Sequence, residues 1–110
     1  MHSCSRNDIV LVRYPFTGCR EAKIRPAVVV SAPHTSLDVF LVPLTSRTSG
    51  LLDGEFVLAD FRAAGLHVPT AVKRGLYTLH SALVLKKVGT LSTPDIAHIE
   101  SAWRLWLGLA

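Results

Sequence analysis

The feature that most constrains the fold is a series of short apolar runs, rich in β-branched residues, in the first half of the chain. Gly, Pro and Ser separate these runs. Short apolar runs bounded by turn residues favour buried strands over helices, which need about ten residues or more. The predicted strands cover residues 9–14, 27–31, 38–42, 55–61, 69–73, 77–80 and 85–91, and residues 81–85 fit either a helix or a strand. The pattern predicts a small, strongly bent antiparallel barrel.

The C-terminal segment has the sequence pattern of a helix. Ser92 precedes Asp95 by the spacing of a capping box, and Pro94 lies in the first turn. Gly108 can end the helix. The apolar stripe at helical spacing consists of Ile96, Ile99, Trp103, Trp106 and Leu107. We therefore predict a helix at about 93–107, packed on the barrel, with both tryptophans in the core or a dimer contact rather than stacked on bases.

Size and composition predict one folded domain over residues 1–110, with a flexible N-terminus at residues 1–6. Hydrophobic residues make up 49% of the chain, which is enough to fill a core and argues against disorder. The formal charge is +4 and the pI is about 9.5. This excess of Lys and Arg suggests an acidic partner, namely RNA, DNA, a membrane surface or an acidic protein.

The remaining composition predicts neither a metal site nor a bound cofactor. Two cysteines and five histidines show none of the spacings typical of metal ligands. The cysteines are also too few for a secreted disulfide scaffold. We see no signal peptide and no apolar run long enough to cross a membrane, so we expect a cytoplasmic protein that does not bind membranes.

Two polar residues stand at strand ends that neighbour each other in sequence order. Arg25 enters the second predicted strand, and Thr45 follows the third. If these strands pair antiparallel, a guanidinium and a hydroxyl lie at the same sheet edge. A guanidinium binds phosphate oxygens through two N–H groups, and a hydroxyl donates one further hydrogen bond. The pair is therefore a candidate phosphate cradle.

Several segments, in order, resemble the MazF/PemK family of toxins from type II toxin–antitoxin systems. The matching segments are Asp8–Val12, Pro15–Thr17, Lys23–Ser31, Val42–Ser46, Ala64–Leu66, Pro69–Lys73, Tyr77–Leu79 and Val88–Ser92. The resemblance implies a homodimer with the SH3-like barrel shared by MazF, PemK and CcdB toxins. It also implies a cognate antitoxin that blocks the RNA groove.

The same resemblance implies an endoribonuclease that cleaves single-stranded RNA at specific sequences without a metal ion. The expected products carry a 2′,3′-cyclic phosphate and a 5′-hydroxyl. Arg25 matches the catalytic arginine of the family, and Thr45 matches the threonine at the scissile phosphate. The residues expected to bind RNA are Thr17, Arg20, Glu21, Lys23, Ser46, Arg47 and Lys73.

The sequence does not identify the side chains that transfer protons in this reaction. Arginine stays protonated near neutral pH and is therefore a poor general base. Glu21 lies close to Arg25 in sequence and is one candidate base. His80 is another, provided that the fold brings it near.

Two other functions remain open. The first is a toxin of the same fold that poisons gyrase through its C-terminal helix, whose end is apolar from Leu105 to Ala110. The second is a barrel without catalytic activity that binds only RNA or protein.

Overall fold

In the computed structural model the described residues are 4–14 and 23–109. The strands are β1 (Asp8–Tyr14), β2 (Lys23–Val29), β3 (Asp38–Thr45), β4 (Phe56–Val57), β5 (Ala71–Val72), β6 (Tyr77–His80) and β7 (Val84–Thr90). A 3₁₀ turn at Ser81–Leu83 precedes β7, which resolves the ambiguous stretch 81–85. The helix α1 spans Thr93–Leu107.

The strands form one antiparallel sheet in the order β4-β5-β3-β2-β1-β7, and β6 pairs with β3. β3 is the central strand because it pairs with β2, β5 and β6. The fold class predicted from the sequence, mainly β with a C-terminal helix, is confirmed.

The two faces of the sheet bury two separate apolar clusters. On β2 and β3, Val28 and Val42 belong to one cluster, whereas Ala27 and Leu41 belong to the other. Side chains alternate between faces along a strand, so odd-numbered residues of these two strands share one face. α1 covers the first cluster with Ile99 and Ala102.

Four strands differ from the prediction by more than one residue at an end. β2 spans Lys23–Val29 instead of 27–31, so Arg25 and Pro26 lie within the strand. β3 continues through Pro43 to Thr45, and the Pro43 carbonyl accepts a hydrogen bond from Lys73 N at 3.0 Å. The strand predicted at 55–61 is reduced to Phe56–Val57, and the one at 69–73 to Ala71–Val72. Beyond β4, Leu58 N still donates to a backbone carbonyl, that of Thr70, but the next two backbone N–H groups donate to a side chain.

That side chain is Asp95, which the sequence assigned to a capping box. The carboxylate of Asp95 is buried and accepts from the backbone N–H of Ala59 at 2.8 Å and of Asp60 at 3.2 Å. Ser92 Oγ donates to it at 2.9 Å, and no side chain caps the helix. Asp95 therefore ties the start of α1 to the connection after β4.

Leu107, predicted in the buried stripe of the helix, is half exposed.

The N-terminal segment expected to be flexible packs against the domain where the structure describes it. Cys4 is buried, and Arg6 Nη2 lies 3.0 Å from Glu100 Oε1 on α1.

Over the described ranges, no helix has both the length and the apolar character needed to span a bilayer.

Candidate active site

Arg25 and Thr45 occupy corresponding positions on β2 and β3. The register pairs Ala27 with Pro43 and Val29 with Leu41. If this register is extended by two residues along each strand, Arg25 lies opposite Thr45. Directly opposed residues have Cβ atoms about 5 Å apart in a regular ladder. Both residues are odd-numbered, so both side chains lie on the same face of the sheet.

The ladder between β2 and β3 stops at this point. Pro26, which has no N–H, stands where the register would require a donor for Leu44. On its other edge, β3 pairs with β5, Leu44 with Val72 and Thr45 with Ala71. Thr45 therefore lies between the end of the β2 ladder and β5, where the sheet opens.

The opening is a cleft of about 920 Å³. It is lined by Arg25, Pro26, Pro43, Leu44, Thr45, Ser46, Leu66, His67, Val68, Thr70, Lys73, Arg74, Gly75, Leu76 and Tyr77. The structure thus brings together Arg25, Thr45, Ser46 and Lys73 from the predicted site. Arg25, Ser46 and Lys73 are exposed, and Thr45 is partly exposed, so all of them are open to a ligand.

The cleft is cationic and has apolar walls. Arg25, Lys73 and Arg74 line it, and no carboxylate lines it among the described residues. Leucine and valine side chains supply apolar surface beside these cations. Such a surface suits a ligand that is both anionic and partly apolar, as a nucleotide chain is. In the described part of the chain, no group of three metal-ligating side chains forms a metal site.

The hydroxyl of Thr45 is held by the loop that follows it. Thr45 Oγ1 accepts a hydrogen bond from Arg47 N at 3.1 Å. A hydroxyl has one proton and two lone pairs, so accepting this bond leaves the proton to be donated. The bond orients the Thr45 side chain and leaves its proton free to donate to a ligand.

Glu55 supports one wall of the cleft, which the sequence did not indicate. Its carboxylate accepts from Leu52 N at 2.6 Å and from Arg74 N at 2.7 Å. These backbone hydrogen bonds, and the nearby cations Lys73 and Arg47, hold the pKa of Glu55 below its ordinary value of 4.5. The bonds fasten the segment containing Lys73 and Arg74 to the turn before β4.

The other predicted RNA-binding residues have different positions. Lys23 opens β2 and Arg47 follows Thr45; both are exposed, but neither lines the cleft. Thr17, Arg20 and Glu21 lie outside the described residues.

His80, one of the two candidate bases, lies at the wrong end of the sheet. It pairs with Asp38, at the opposite end of β3 from Thr45. That separation is about 23 Å along a strand. His80 Nδ1 instead accepts from Ala82 N at 3.0 Å and caps the 3₁₀ turn. Among the described residues, the imidazole that lines the cleft belongs to His67, which no local sequence pattern marked.

Comparison with known proteins identifies a family and a shared fold. A family model described as a PemK-like, MazF-like toxin of type II toxin–antitoxin systems matches residues 5–107. No curated protein matches the chain significantly.

Solved structures share the fold at low sequence identity. MazF from Deinococcus radiodurans has a TM-score of 0.78 and 19% identity, over 99% of this chain and 100% of that chain. The Mycobacterium tuberculosis toxin MazF-mt6 has a TM-score of 0.75 and 19% identity, over 94% and 98% respectively. A mycobacterial endoribonuclease in complex with its cognate antitoxin has a TM-score of 0.73 and 19% identity, over 100% and 98%.

Proposed function

Because the match covers nearly all of its length, the chain belongs to the PemK-like, MazF-like toxins of type II toxin–antitoxin systems, and we propose that it is an endoribonuclease. Its substrate is single-stranded RNA, cleaved at a specific sequence without a metal ion. The observation that carries this proposal is the position of Arg25 and Thr45 in one solvent-open cationic cleft.

Arg25 stabilises the charge that develops on the phosphate. Attack of the 2′-oxygen on phosphorus produces a phosphorane that carries more negative charge on its oxygens than the starting diester does. A guanidinium can hydrogen-bond two of these oxygens in a fixed geometry. Such a preorganised donor is worth on the order of 10²–10³ in rate.

Thr45 orients the same phosphate from the adjacent strand. Its proton is available because its oxygen already accepts from the backbone of Arg47. With Arg25 beside it, the hydroxyl restricts the phosphate to one orientation, which in-line attack requires. Lys73 and Ser46 line the same cleft and bind the flanking backbone. The products are a 2′,3′-cyclic phosphate and a 5′-hydroxyl.

The test is incubation of the purified protein with long single-stranded RNA in EDTA. We expect fragments whose 5′ ends accept phosphate from a kinase directly and whose 3′ ends resist phosphatase until acid opens the cyclic ester. Arg25→Ala should lower the cleavage rate by at least about 10²-fold.

Arg13→Ala is the matched control for this experiment. Arg13 is exposed on β1, the strand next to β2, and does not line the cleft. The Arg13→Ala substitution removes one positive charge, as Arg25→Ala does, but from the adjacent strand. Cleavage should stay within about threefold of the wild-type rate, as expected for an exposed charge outside the site. Equal losses of cleavage rate in both variants would mean that the overall positive charge of the protein, and not the position of Arg25 in the cleft, determines the rate.

We also propose that the chain binds a cognate antitoxin and forms a homodimer. Support for the antitoxin comes from the mycobacterial relative, which was crystallised with its own. Support for the dimer comes from apolar side chains that are about half exposed in the single chain, among them Ile24, Phe40 and Leu76.

A gyrase poison of the same fold is the second candidate function. It is favoured by one feature, the exposed leucines Leu105, Leu107 and Leu109 at the end of α1. Inhibition of gyrase supercoiling by protein that leaves RNA intact would replace the nuclease proposal with this one. Retention of RNA without cleavage or gyrase inhibition would instead indicate a barrel that only binds.

A further inference from the structure

The proposed cleavage needs a group that accepts a proton, and the cationic cleft is poor in such groups. Guanidinium and ammonium groups keep their protons well above neutral pH, and a phenol releases its proton only near pH ~10. Side chains of these kinds line the cleft in the described part of the chain, at Arg25, Lys73, Arg74 and Tyr77. Their chemistry suits charge stabilisation and hydrogen-bond donation.

Among the residues that the structure describes, His67 is the remaining titratable side chain of the cleft lining. Imidazole is the side chain whose ordinary protonation change falls between about pH 5 and 8. His67 is also exposed, so a ligand in the cleft can reach it.

The topology places β5, the strand that follows His67 in the chain, on the opposite side of β3 from β2. Arg25 belongs to β2, which flanks β3 on one side, whereas Thr45 pairs with Ala71 of β5 on the other. The segment that carries His67 leads directly into β5. A phosphate at Thr45 would therefore lie between the strand that carries the guanidinium and the segment that carries the imidazole. Arg25 can then bind the non-bridging oxygens, which leaves the attacking 2′-hydroxyl to the imidazole.

The segment around His67 is anchored at both ends. Leu66 N donates to Phe61 O at 3.0 Å, and Leu58 N donates to Thr70 O at 2.9 Å. Thr70 Oγ1 donates to Val68 O at 2.9 Å, which closes the turn after His67. A short segment fixed in this way holds its side chain in position before the substrate binds.

We propose that His67 is the general base of the cleavage reaction, an inference that rests on the proposed nuclease function. The neutral imidazole takes the proton of the 2′-hydroxyl as its oxygen bonds to phosphorus. The bond from phosphorus to the 5′-oxygen breaks, and that oxygen takes a proton from water. The imidazolium then returns its proton to solvent, so the reaction consumes no reagent.

The test compares pH–rate profiles of single-turnover cleavage for wild type, His67→Asn and His80→Asn. The wild-type rate should rise with pH through a limb between about pH 5 and 8. His67→Asn should lose this limb and, at pH 7.5, should be slower by about 10²–10⁴-fold with RNA affinity nearly unchanged. His80→Asn is the matched control, since asparagine keeps an acceptor for the 3₁₀ turn.

A second measurement separates catalysis from folding. His67→Ala leaves space beside the cleft, and added imidazole should restore part of its rate, more strongly at higher pH where free imidazole is neutral. A His67→Asn variant that keeps the rate and the limb would overturn the inference. A His67→Asn variant that loses only RNA affinity would also overturn it. So would a Glu21→Gln variant that loses the pH-dependent limb while His67→Asn keeps it. These outcomes leave the nuclease function intact, whereas wild-type protein that cleaves no RNA refutes the function itself.

Discussion

Replacing Glu55 by glutamine should destabilise the fold and weaken the wall of the cleft. The carboxylate accepts two backbone hydrogen bonds, at 2.6 Å from Leu52 and 2.7 Å from Arg74. Hydrogen bonds to a charged acceptor contribute about 1.5–3 kcal/mol each in protected sites. Glu55 is partly exposed, and solvent screening reduces that figure. We therefore expect a loss of about 1–2 kcal/mol, or about 4–8 °C in Tm for a domain of this size.

The loss should depend on pH in a defined direction. The pKa of Glu55 is lowered in the folded protein from its ordinary 4.5. A lowered pKa means that the charged form is favoured by folding, so its contribution is complete above pH 4.5 and disappears as pH falls through the folded value. The stability difference between wild type and Glu55→Gln should be constant near neutrality and shrink on acidification below about pH 4.5.

Urea unfolding at pH 7 and at pH 3 measures both effects. Glu100→Gln is a suitable control, because Glu100 makes one exposed ion pair, with Arg6, and should change stability by less than about 0.5 kcal/mol. The reasoning fails if Glu55→Gln is as stable as wild type at pH 7, or if the difference is as large at pH 3.

Three further predictions concern binding, packing and assembly. RNA affinity should fall about 20-fold between 50 and 200 mM salt if Arg25, Lys73 and Arg74 each neutralise one phosphate of a single strand, and a flat salt response would exclude these contacts. Gly65→Ala should cost at least about 2 kcal/mol of unfolding free energy, because φ is +79° and an added Cβ would overlap the carbonyl of Val88; an unchanged Tm would contradict this packing. Light scattering should give about 24 kDa, twice the 12.0 kDa chain mass, and a concentration-independent monomer would refute the homodimer.

The sequence predicted the parts of the molecule that depend on local pattern. The β-branched runs placed β1 to β3, and the C-terminal periodicity placed α1 at the predicted residues. The pairing of strands that neighbour each other in sequence was enough to bring Arg25 and Thr45 to one edge. These features follow from periodicity and turn chemistry, which act over a few residues.

The features that the sequence did not predict depend on contacts between distant residues. Asp95 has the spacing of a cap, but the amides that it binds belong to residues 59–60. Glu55 bonds to Arg74, and no local pattern marks either residue as a partner of the other. His67 lines the cleft only because β5 pairs with β3. His80 was a candidate base on residue type alone, and strand pairing placed it far from Thr45.

The central claim is that Arg25 and Thr45 act on one phosphate, and a double-mutant cycle tests it most directly. Single-turnover cleavage rates of Arg25→Ala, Thr45→Val and the double variant give the coupling between the two side chains. If both contact the same phosphate, the loss in the double variant should be smaller than the product of the single losses by at least about fivefold, or about 1 kcal/mol of coupling. Losses that multiply would show that the two residues act independently, and would contradict a shared phosphate site.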